Sequence, residues 1–471
     1  LVILPSTTCQ LKTSRVQLLA MRLLSISNAR LSVVEANPTT DHYDIIISGG
    51  GLVGTTLACA LSKPRALADK RILLLEGAPA FKGFQGGQYA NRVSAINNAS
   101  AELFKTIGAW EHMLMQRVKP VKQMQVWDAC SDAMIQFQQE YFSDDVAFIV
   151  ENDLILHAVY KQLQQADIKN VEIRTESRID AVKLPCDTDT EHCEVRLQNG
   201  DTFSCDLLIG ADGASSLVRK QMAVDVYSIN YDRMGLVATL ELDKESSGDN
   251  AVAWQRFIPS GPVAMLPLND TMSSLVWSTS LPHAKQLADM PEVEFVEALN
   301  EAFCKEYAKS DIVVNALRGL NSLMGREAGY GRQYPPKVNG VVENSRACFP
   351  LGFLHASSYV CAGAALIGDA AHRVHPLAGQ GVNLGFSDVC HLVDVLSDAA
   401  YAGAKLGDKQ YLMKYEQKCL TKNVPIMIGI HGLQKLYSTT FSPVVLLRSL
   451  GLQFTQNVPQ IKNIFMKQAM G

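Results

Sequence analysis

A short apolar segment followed by closely spaced glycines limits the possible folds of this 471-residue chain more than any other part of its sequence. Tyr43–Ser48 is rich in isoleucine, and Gly49, Gly51 and Gly54 follow it with the spacing G-x-G-x-x-G. Thr55–Leu61 continues with helix-compatible residues. A short apolar run bounded by glycine is typical of a buried parallel strand. The segment therefore predicts a parallel strand, a tight turn and a helix.

Each position in this turn has a physical role in binding a dinucleotide. Gly49 permits the tight turn, Gly51 lets a pyrophosphate approach the backbone, and Gly54 lets the helix pack closely on the strand. The helix N-terminus offers free N–H groups and a partial positive charge to the phosphates. A second buried strand, Arg71–Leu75, ends at Glu76, which can accept hydrogen bonds from the adenosine ribose hydroxyls. The pattern predicts a dinucleotide site but does not distinguish NAD from FAD.

Two later strands also end in small and acidic residues. Cys205–Ile209 is an apolar strand that leads to Asp212 in an Asp-Gly turn, which by itself fits a plain strand–turn–helix equally well. Ala364–Ile367 is a further apolar strand, ended by Gly368 and Asp369. The glycine allows the acid to lie at the strand end, where its carboxylate can accept hydrogen bonds from the ribityl hydroxyls of a flavin.

Two glycines without side chains precede the next predicted helix, Val382–Leu396. Gly379 and Gly381 leave the N–H groups at its N-terminus exposed, so they can face the flavin pyrimidine carbonyl, which gains negative charge on reduction. His375 lies just before this turn and is a candidate pocket residue, although a histidine here is also compatible with a purely structural role.

In their order and spacing, the three motifs resemble the FAD-dependent aromatic hydroxylases of the para-hydroxybenzoate hydroxylase fold. His375–Asp388, which reads HPLAGQGVNLGFSD, is similar to the ubiquinone-biosynthesis hydroxylases within that family. Arg92–Ile96 (RVSAI) and Val150–Asn152 (VEN) are similar to the same branch. The resemblance spans about residues 42–465, and it is nearest to mitochondrial members that act at ring position C5.

The resemblance implies roles for individual residues. Arg92 would reach the FAD phosphates, although a surface ion pair is an alternative for it, and Asn152 would lie at the flavin. Pro376 would lie beside the isoalloxazine and face the substrate, with His375 and Leu377 as the other pocket candidates. No catalytic base is predicted. The full set of cofactor-binding candidates is Gly49, Gly51, Gly54, Glu76, Arg92, Asn152, Asp212, Gly368, Asp369, Gly379, Gly381 and Asn383.

The family implies an α/β fold with a Rossmann-like FAD-binding domain, an antiparallel β-sheet substrate domain above the flavin, and C-terminal helices. Val121–Phe137 and Tyr231–Thr279 alternate as antiparallel strands do, residues 281–325 are predicted helical, and 259–262 form a turn. Four large side chains are candidates for the pocket wall or for plain core: Trp254, Phe257, Leu266 and Trp277. The predicted domains are 42–120, 150–225 and 340–400 for FAD, 121–149 and 226–339 for the substrate, and 401–471 for the C-terminal helices.

The chemistry implied is that of a flavin monooxygenase. Through a flavin C4a-hydroperoxide it would transfer one oxygen of O2 to a polyprenylated 4-hydroxybenzoate-type phenol, at C5, ortho to the hydroxyl. Electrons would come from a ferredoxin and its reductase or from NAD(P)H. Other coenzyme Q biosynthesis proteins are the implied partners. Two alternatives stay open: an FAD-dependent lipid epoxidase or reductase on the same fold, and a catalytically silent subunit of a coenzyme Q assembly.

Charge is distributed unevenly along the chain. Residues 1–34 carry +4 and residues 417–471 carry +6, with no acid in either, so the net charge of −4 leaves −14 on residues 35–416. The acidic middle argues against nucleic-acid binding. The arginine- and serine-rich start is typical of a mitochondrial transit peptide, predicted for 1–41. The basic tail suggests peripheral contact with an anionic membrane, which places the protein at the matrix face of the inner membrane.

Other broad classes are disfavoured. The longest apolar stretches fall short of 18 residues, so no transmembrane helix is predicted. The eleven cysteines include no C-x-x-C pair, which argues against a disulfide framework and against a structural zinc site. No metal ligands are predicted from the sequence.

Overall fold

The computed structural model describes residues 41–131, 133–138, 145–185, 191–243, 248–323, 333–458, 460 and 462. The predicted transit peptide, apart from its last residue, lies outside the described residues. Residues 42–471 form one compact unit.

Strands make up two large sheets and one small one. In chain order they are β1 Asp41–Ser48, β2 Ile72–Leu75, β3 Val93–Ile96, β4 Lys119–Val121, β5 Gln123–Asp128, β6 Met134–Gln138, β7 Ala147–Glu151, β8 Val171–Arg174, β9 Ile179–Lys183, β10 Cys193–Leu197, β11 Thr202–Gly210, β12 Val226–Leu242, β13 Val252–Ile258, β14 Gly261–Asn269, β15 Met272–Ser280, β16 Val338–Val341, β17 Ala347–Ala356, β18 Val360–Cys361, β19 Ala364–Leu366 and β20 His372–Arg373.

Helices connect and cover these sheets. They are α1 Leu52–Leu61, α2 Asn98–Ile107, α3 Trp110–Leu114, α4 Asn152–Leu163, α5 Leu217–Gln221, α6 Leu281–Asp289, α7 Glu292–Cys304, α8 Asp311–Leu323, α9 Gln380–Tyr401, α10 Lys409–Tyr437 and α11 Ser442–Asn457. Single 3₁₀ turns occur at Arg65–Leu67, Gly368–Ala370 and Leu377–Gly379. Among the described helices, none is both long and apolar enough to cross a membrane.

The first large sheet is Rossmann-like. Its central order is β18-β19-β11-β1-β2-β8, and β19, β11, β1, β2 and β8 run parallel, while β9 and β10 extend it antiparallel from β11. All four residues of β2 and most of β1 are buried, since helices cover the sheet. The parallel arrangement brings the carboxyl ends of β1, β2, β11 and β19 to one edge. The four predicted strands are confirmed, and so are the helices predicted after β1, β11 and β19, whereas β2 leads through a loop to β3.

The second large sheet has the order β20-β17-β12-β15-β14-β13-β5-β6, with β16 beside β12, and forms the predicted roof. One expectation for it is wrong, because β5 pairs with β13 in parallel. These two strands are far apart in the sequence and are not joined by a hairpin, so nothing requires them to be antiparallel. A third sheet, of β3, β7 and β4, is antiparallel, and the roof strands β5 and β6 lie between β4 and β7 in sequence.

The two faces of the roof have different neighbours. Trp254 and Trp277 are buried in a core with Phe295 and Phe303, which belong to α7, so these two tryptophans are plain core residues. Phe257 lies on the opposite face, in a cluster with Leu377, which belongs to the turn before α9. Since side chains alternate along a strand, the roof packs helices on one side and turns its other side to the Rossmann-like unit.

Candidate active site

The glycine-rich turn after β1 has the shape expected for a diphosphate loop. Gly49 has φ +108°, and a Cβ there would lie 2.5 Å from the Ala211 carbonyl oxygen. A Cβ on Gly54 would lie 2.0 Å from the Gly49 oxygen, so α1 packs too closely for any side chain. By contrast, a Cβ on Gly51 would meet nothing within 4 Å. The structure therefore places tight packing at the outer glycines and open space at the middle one.

Glu76 lies at the mouth of this turn. Its carboxylate accepts hydrogen bonds from the backbone N–H of Gly50 at 2.6 Å and of Ala78 at 2.7 Å. The parallel pairing of Ser48 with Leu75 sets the end of β2 beside the end of β1. Each carboxylate oxygen has further lone pairs, so the group can also accept from ribose hydroxyls.

Arg92 and Asn152 lie side by side where β3 meets α4. The Asn152 backbone N–H donates to the Arg92 carbonyl at 3.0 Å, and the Asn152 Oδ1 accepts from the Ser94 hydroxyl at 2.7 Å. Arg92 is exposed, and within the described residues no hydrogen bond or ion pair engages its guanidinium. An uncommitted guanidinium fits the implied phosphate contact and does not support the surface ion pair.

Asp212 is beside the glycine turn and begins the approach to α5. A Cβ on Gly49 would lie 2.9 Å from the Asp212 Cα. Its Oδ2 accepts from the Leu217 backbone N–H at 2.7 Å, at the first residue of α5. Its Oδ1 is buried and has no hydrogen-bond partner in the described part of the chain. A buried acceptor without a donor is costly, so this atom fits a site completed by a bound hydroxyl group.

Asp369 follows Gly368, which has φ +58°, at the end of β19. The Asp369 side chain is accessible to solvent although protein atoms surround it closely, so it faces into a concave cleft. This desolvation raises the pKa of its carboxyl, while the charges of His372 and Arg373 oppose the rise. An accessible carboxylate in a cleft is suited to accept hydroxyl groups such as those of a ribityl chain.

A buried ion pair supports the Asp369 turn from below. The Asp388 Oδ2 lies 2.6 Å from the His372 Nε2 and accepts from the Gly368 backbone N–H at 2.9 Å. The Asp388 Oδ1 accepts from Asn423 of α10 at 2.9 Å. Burial alone would lower the pKa of His372 and raise that of Asp388, but each charge reverses the effect on the other. The pair is therefore ionised, and it joins α9 and α10 to the turn.

The N-terminus of α9 is fixed by Asn383. Its amide Oδ1 accepts from the Asn97 N–H at 3.2 Å and the Ser100 hydroxyl at 2.8 Å. Its Nδ2 donates to the carbonyls of Ala95 at 2.8 Å and Gly379 at 3.2 Å. These four bonds commit the side chain to protein, so its contribution to the site is to position the turn. Gly381 precedes it at the first turn of α9, with open backbone.

His375 and Leu377 line a narrow crevice against the roof, and Pro376 lies between them in the chain. The His375 Nδ1 accepts from the Leu377 N–H at 3.2 Å, so its Nε2 carries the proton and donates to the Ser278 hydroxyl at 3.1 Å. Burial, with a smaller effect of Arg233, lowers the pKa of His375 to about 4. The imidazole is therefore neutral at physiological pH and holds the third motif against β15.

The crevice is small, and the surface that it exposes is mostly apolar. Its volume is about 10 Å³, which is room for about one water molecule. Its walls are Arg233, Phe257, Gly261, Pro262, Ser278, His375, Leu377, Gln434, Tyr437 and Ser438. Phe257 stacks on Tyr437 with ring centroids 3.7 Å apart, which places α10 directly against the roof.

Two ion pairs near the cleft were missed by sequence reasoning. One is His372 with Asp388, although both residues lie in or beside the third motif. The other is Arg117 with the buried Glu151, joined at 2.6 Å, which also holds the segment before Arg92 through the Ala90 N–H. Sixteen residues separate the first pair and 34 separate the second, and no local pattern marks such contacts.

The predicted cofactor residues at the strand ends fit FAD. Three acidic side chains, an uncommitted arginine and a bare glycine turn surround the carboxyl edge of a Rossmann-like sheet, and a β-sheet roof faces it. This fold and cleft define a flavoprotein of the para-hydroxybenzoate hydroxylase fold. In agreement, the chain matches the family model described as "FAD binding domain" over residues 42–334 and 354–423.

Whole-chain comparisons narrow the class. The chain is 61% identical over 98% of its length to the Drosophila melanogaster protein named "ubiquinone biosynthesis monooxygenase COQ6, mitochondrial", covering 97% of that protein. It is 45% identical to the Homo sapiens protein of the same name, covering 91% of this chain and 92% of that one. The fold matches p-nitrophenol 4-monooxygenase PnpA from Pseudomonas putida with TM-score 0.65 at 15% identity, covering 92% of this chain and 99% of that one.

The chain belongs to the ubiquinone biosynthesis monooxygenase family and is a flavin-dependent monooxygenase. The predicted fold class, cofactor and enzyme class are confirmed. The silent-subunit alternative loses its support, since the named relatives are monooxygenases and every predicted flavin-site glycine and acid is in place.

Proposed function

We propose that the enzyme hydroxylates a polyprenylated 4-hydroxybenzoate-type phenol at C5, ortho to the ring hydroxyl. The observation that carries this proposal is the position of His375–Leu377, between the Asp369 cleft and the apolar face of the roof. The closed crevice is too small for an aromatic ring, so a substrate ring would part Leu377 from Phe257 and would then lie next to the cofactor cleft. The names of the relatives support a ubiquinone precursor as the substrate.

The residues of the chain bind, orient and exclude water. FAD, when bound and reduced, supplies the activation of O2. We propose that the twelve candidate residues hold it, with Gly49, Gly54 and Asn383 positioning the turns and the rest facing the cofactor. The neutral His375 keeps the loop on Ser278, and the narrow crevice limits the access of bulk water to reactive species. No described residue is assigned as a catalytic base.

Product analysis tests this assignment. FAD-loaded enzyme, an electron source and 3-prenyl-4-hydroxybenzoate labelled with deuterium at C5 should give a catechol that has lost the label. A hydroxylated product that keeps the deuterium, or turnover of an isoprenoid alkene without the phenol, contradicts the proposal. The second outcome would favour the epoxidase alternative. Asp369→Ala should lower flavin content, while Asp398→Ala, an exposed acid on α9, is the matched control.

For the electron source we propose a ferredoxin with its reductase, and NAD(P)H is the alternative. The support is the resemblance to the mitochondrial branch, because no described feature of the surface distinguishes the two donors. Anaerobic flavin reduction by each donor, with the prenylated phenol present, separates them. Rapid bleaching by NADPH alone would contradict the ferredoxin assignment.

We also propose that α10 and α11 contact the inner membrane at its matrix face, where other coenzyme Q biosynthesis proteins would act. Leu447 and Phe454 are more than half exposed and lie seven residues apart, so they share one face of α11. Ile428 and Lys435 are related in the same way on α10. Exposed apolar groups beside lysine favour an anionic interface.

One basic residue of the tail does not belong to this surface. Arg448 is buried and forms a two-point ion pair with Asp128, at 2.7 and 3.0 Å. Lys467 lies outside the described residues. Flotation with cardiolipin-containing liposomes tests the surface: Leu447→Ser with Phe454→Ser should weaken binding, and Val293→Ser, exposed on α7, should not. Equal binding by all variants contradicts the proposal.

A further inference from the structure

Two histidines and an aspartate lie together on the first sheet, far from the cleft. His42 is in β1, Asp206 is in β11, and His192 directly precedes β10. The register pairs Cys193 with Cys205 across β10 and β11, which sets His192 opposite Asp206. His42 precedes the end of β1 by six residues, so the cluster is roughly 20 Å from the glycine turn along the strand.

The three side chains converge on one point. The His192 Nδ1 is 2.8 Å from the Asp206 Oδ1, and the His42 Nε2 is 3.5 Å from the same oxygen. All three ligand atoms lie within 4.8 Å of one another. The His42 Nδ1 contacts the Ser204 hydroxyl at 3.0 Å, which leaves Nε2 directed at Asp206. A hydrogen bond from the other ring nitrogen is the usual way in which proteins orient a histidine ligand.

The donor set selects the kind of ion. Two imidazole nitrogens and one carboxylate oxygen suit Zn²⁺, Cu²⁺ or Ni²⁺, whereas Mg²⁺ and Ca²⁺ prefer oxygen ligands alone. The side chains are 43%, 45% and 28% exposed for His42, His192 and Asp206, so an ion in solution reaches them and water can complete its coordination. His42 and Asp206 lie on strands of one sheet and His192 directly precedes a third, which limits the rearrangement that binding requires.

A simpler account is an ion pair between Asp206 and one histidine. That account explains the 2.8 Å contact of His192 but gives no reason for a second imidazole on the same carboxylate oxygen, held by its own hydrogen bond. We propose that His42, His192 and Asp206 form a binding site for a divalent transition-metal ion, with Zn²⁺ as the reference ion. Since the ligands come from β1, β10 and β11, the ion cross-links three strands and stabilises the folded chain.

Titration calorimetry with ZnCl₂ on the FAD-loaded full chain at pH 7.5 tests the site. The wild type should bind one ion at this site, and His192→Ala should weaken that binding at least tenfold. His112→Ala, a partly exposed histidine on α3, should leave the affinity unchanged. Thermal unfolding should show a zinc-dependent rise in Tm in the wild type that His192→Ala abolishes.

Cu²⁺ provides an independent readout. Its electron paramagnetic resonance spectrum should report two nitrogen ligands in the wild type and one in His42→Ala. Far-ultraviolet circular dichroism checks that both variants fold, and Asp206→Asn replaces any that does not. Absence of saturable zinc binding in the wild type, or equal affinity in wild type and His192→Ala, overturns the proposal.

Discussion

Replacing Asp388 by asparagine tests the ion pair beneath the Asp369 turn. The carboxylate faces His372, Gly368 and Asn423 at 2.6, 2.9 and 2.9 Å and is fully buried. Removing one partner of a buried pair costs about 3–5 kcal/mol. We expect about 3 kcal/mol at pH 7.5, because His372 can release its proton and Asn423 has a buried amide oxygen without a partner that can turn toward the new donor.

The pH dependence of the free energy of unfolding shows whether the lost charge of Asp388 causes the destabilisation. In the wild type the pKa of His372 is raised, so its contribution to stability is fully present below about pH 6.5 and is lost as pH rises through the folded value. In Asp388→Asn, burial keeps the His372 imidazole neutral in the folded protein. Below about pH 6.5, His372 therefore binds a proton only when the chain is unfolded. The gap between variant and wild type should therefore widen by about 1.4 kcal/mol per pH unit below 6.5. The depressed pKa of Asp388 limits this at more acid pH, where its own contribution is lost.

Urea unfolding of the FAD-loaded protein at pH 5.5 and 7.5 measures both quantities. Asp394→Asn, an exposed acid on the same helix, is the control and should stay near wild type. The dissociation constant of FAD should rise in Asp388→Asn, because the Gly368 N–H loses its acceptor. A destabilisation below 1 kcal/mol, or a gap that is equal at the two pH values, would refute the ion-pair assignment.

Three further changes have definite outcomes. Gly54→Ala should abolish FAD retention, because its Cβ would lie 2.0 Å from the Gly49 oxygen; absorbance at 450 nm after purification measures this. Arg448→Met should destabilise the protein by about 3–5 kcal/mol, because Asp128 is left buried and unpaired, and added Asp128→Asn should recover part of the loss in thermal unfolding. The low pKa of His375 makes the unfolded chain bind more protons between about pH 4 and 6.5, so stability falls as pH drops through that range. In His375→Gln the fall in Tm over that range should be smaller.

Local patterns were enough to predict the cofactor turns, because each is encoded by a contiguous strand, glycine and acid. Gly49, Glu76 and Asp369 all lie at strand ends on one edge of the sheet, as parallel connections require. Contacts between residues far apart in the sequence were not predictable in this way. Asp128 and Arg448 are 320 residues apart, and a basic residue in an acid-free tail has the same sequence signature whether it faces solvent or a buried aspartate.

The structure was also needed to tell which face of the roof each side chain occupies. Trp254 and Phe257 are three residues apart on β13, so alternation places them on opposite faces, but alternation does not say which face meets the flavin domain. The position of α7 decides this, since it covers Trp254 and leaves Phe257 toward Leu377. The parallel pairing of β5 with β13 depends on the same long-range assembly.

Helix α10 joins the parts of the site that sequence reasoning treated separately. Asn423 near its middle holds Asp388 beneath the cofactor turn, and Tyr437 at its end stacks on the crevice wall. Between them Pro425 lacks the N–H that would bond the Thr421 carbonyl, so the two halves of the helix are less rigidly coupled there. Substitutions at Asn423 should therefore act first on flavin content, whereas substitutions at Tyr437 should act first on turnover of the loaded enzyme. Measuring both quantities for each variant separates the supporting role of the helix at the cofactor from its role as a wall of the substrate crevice.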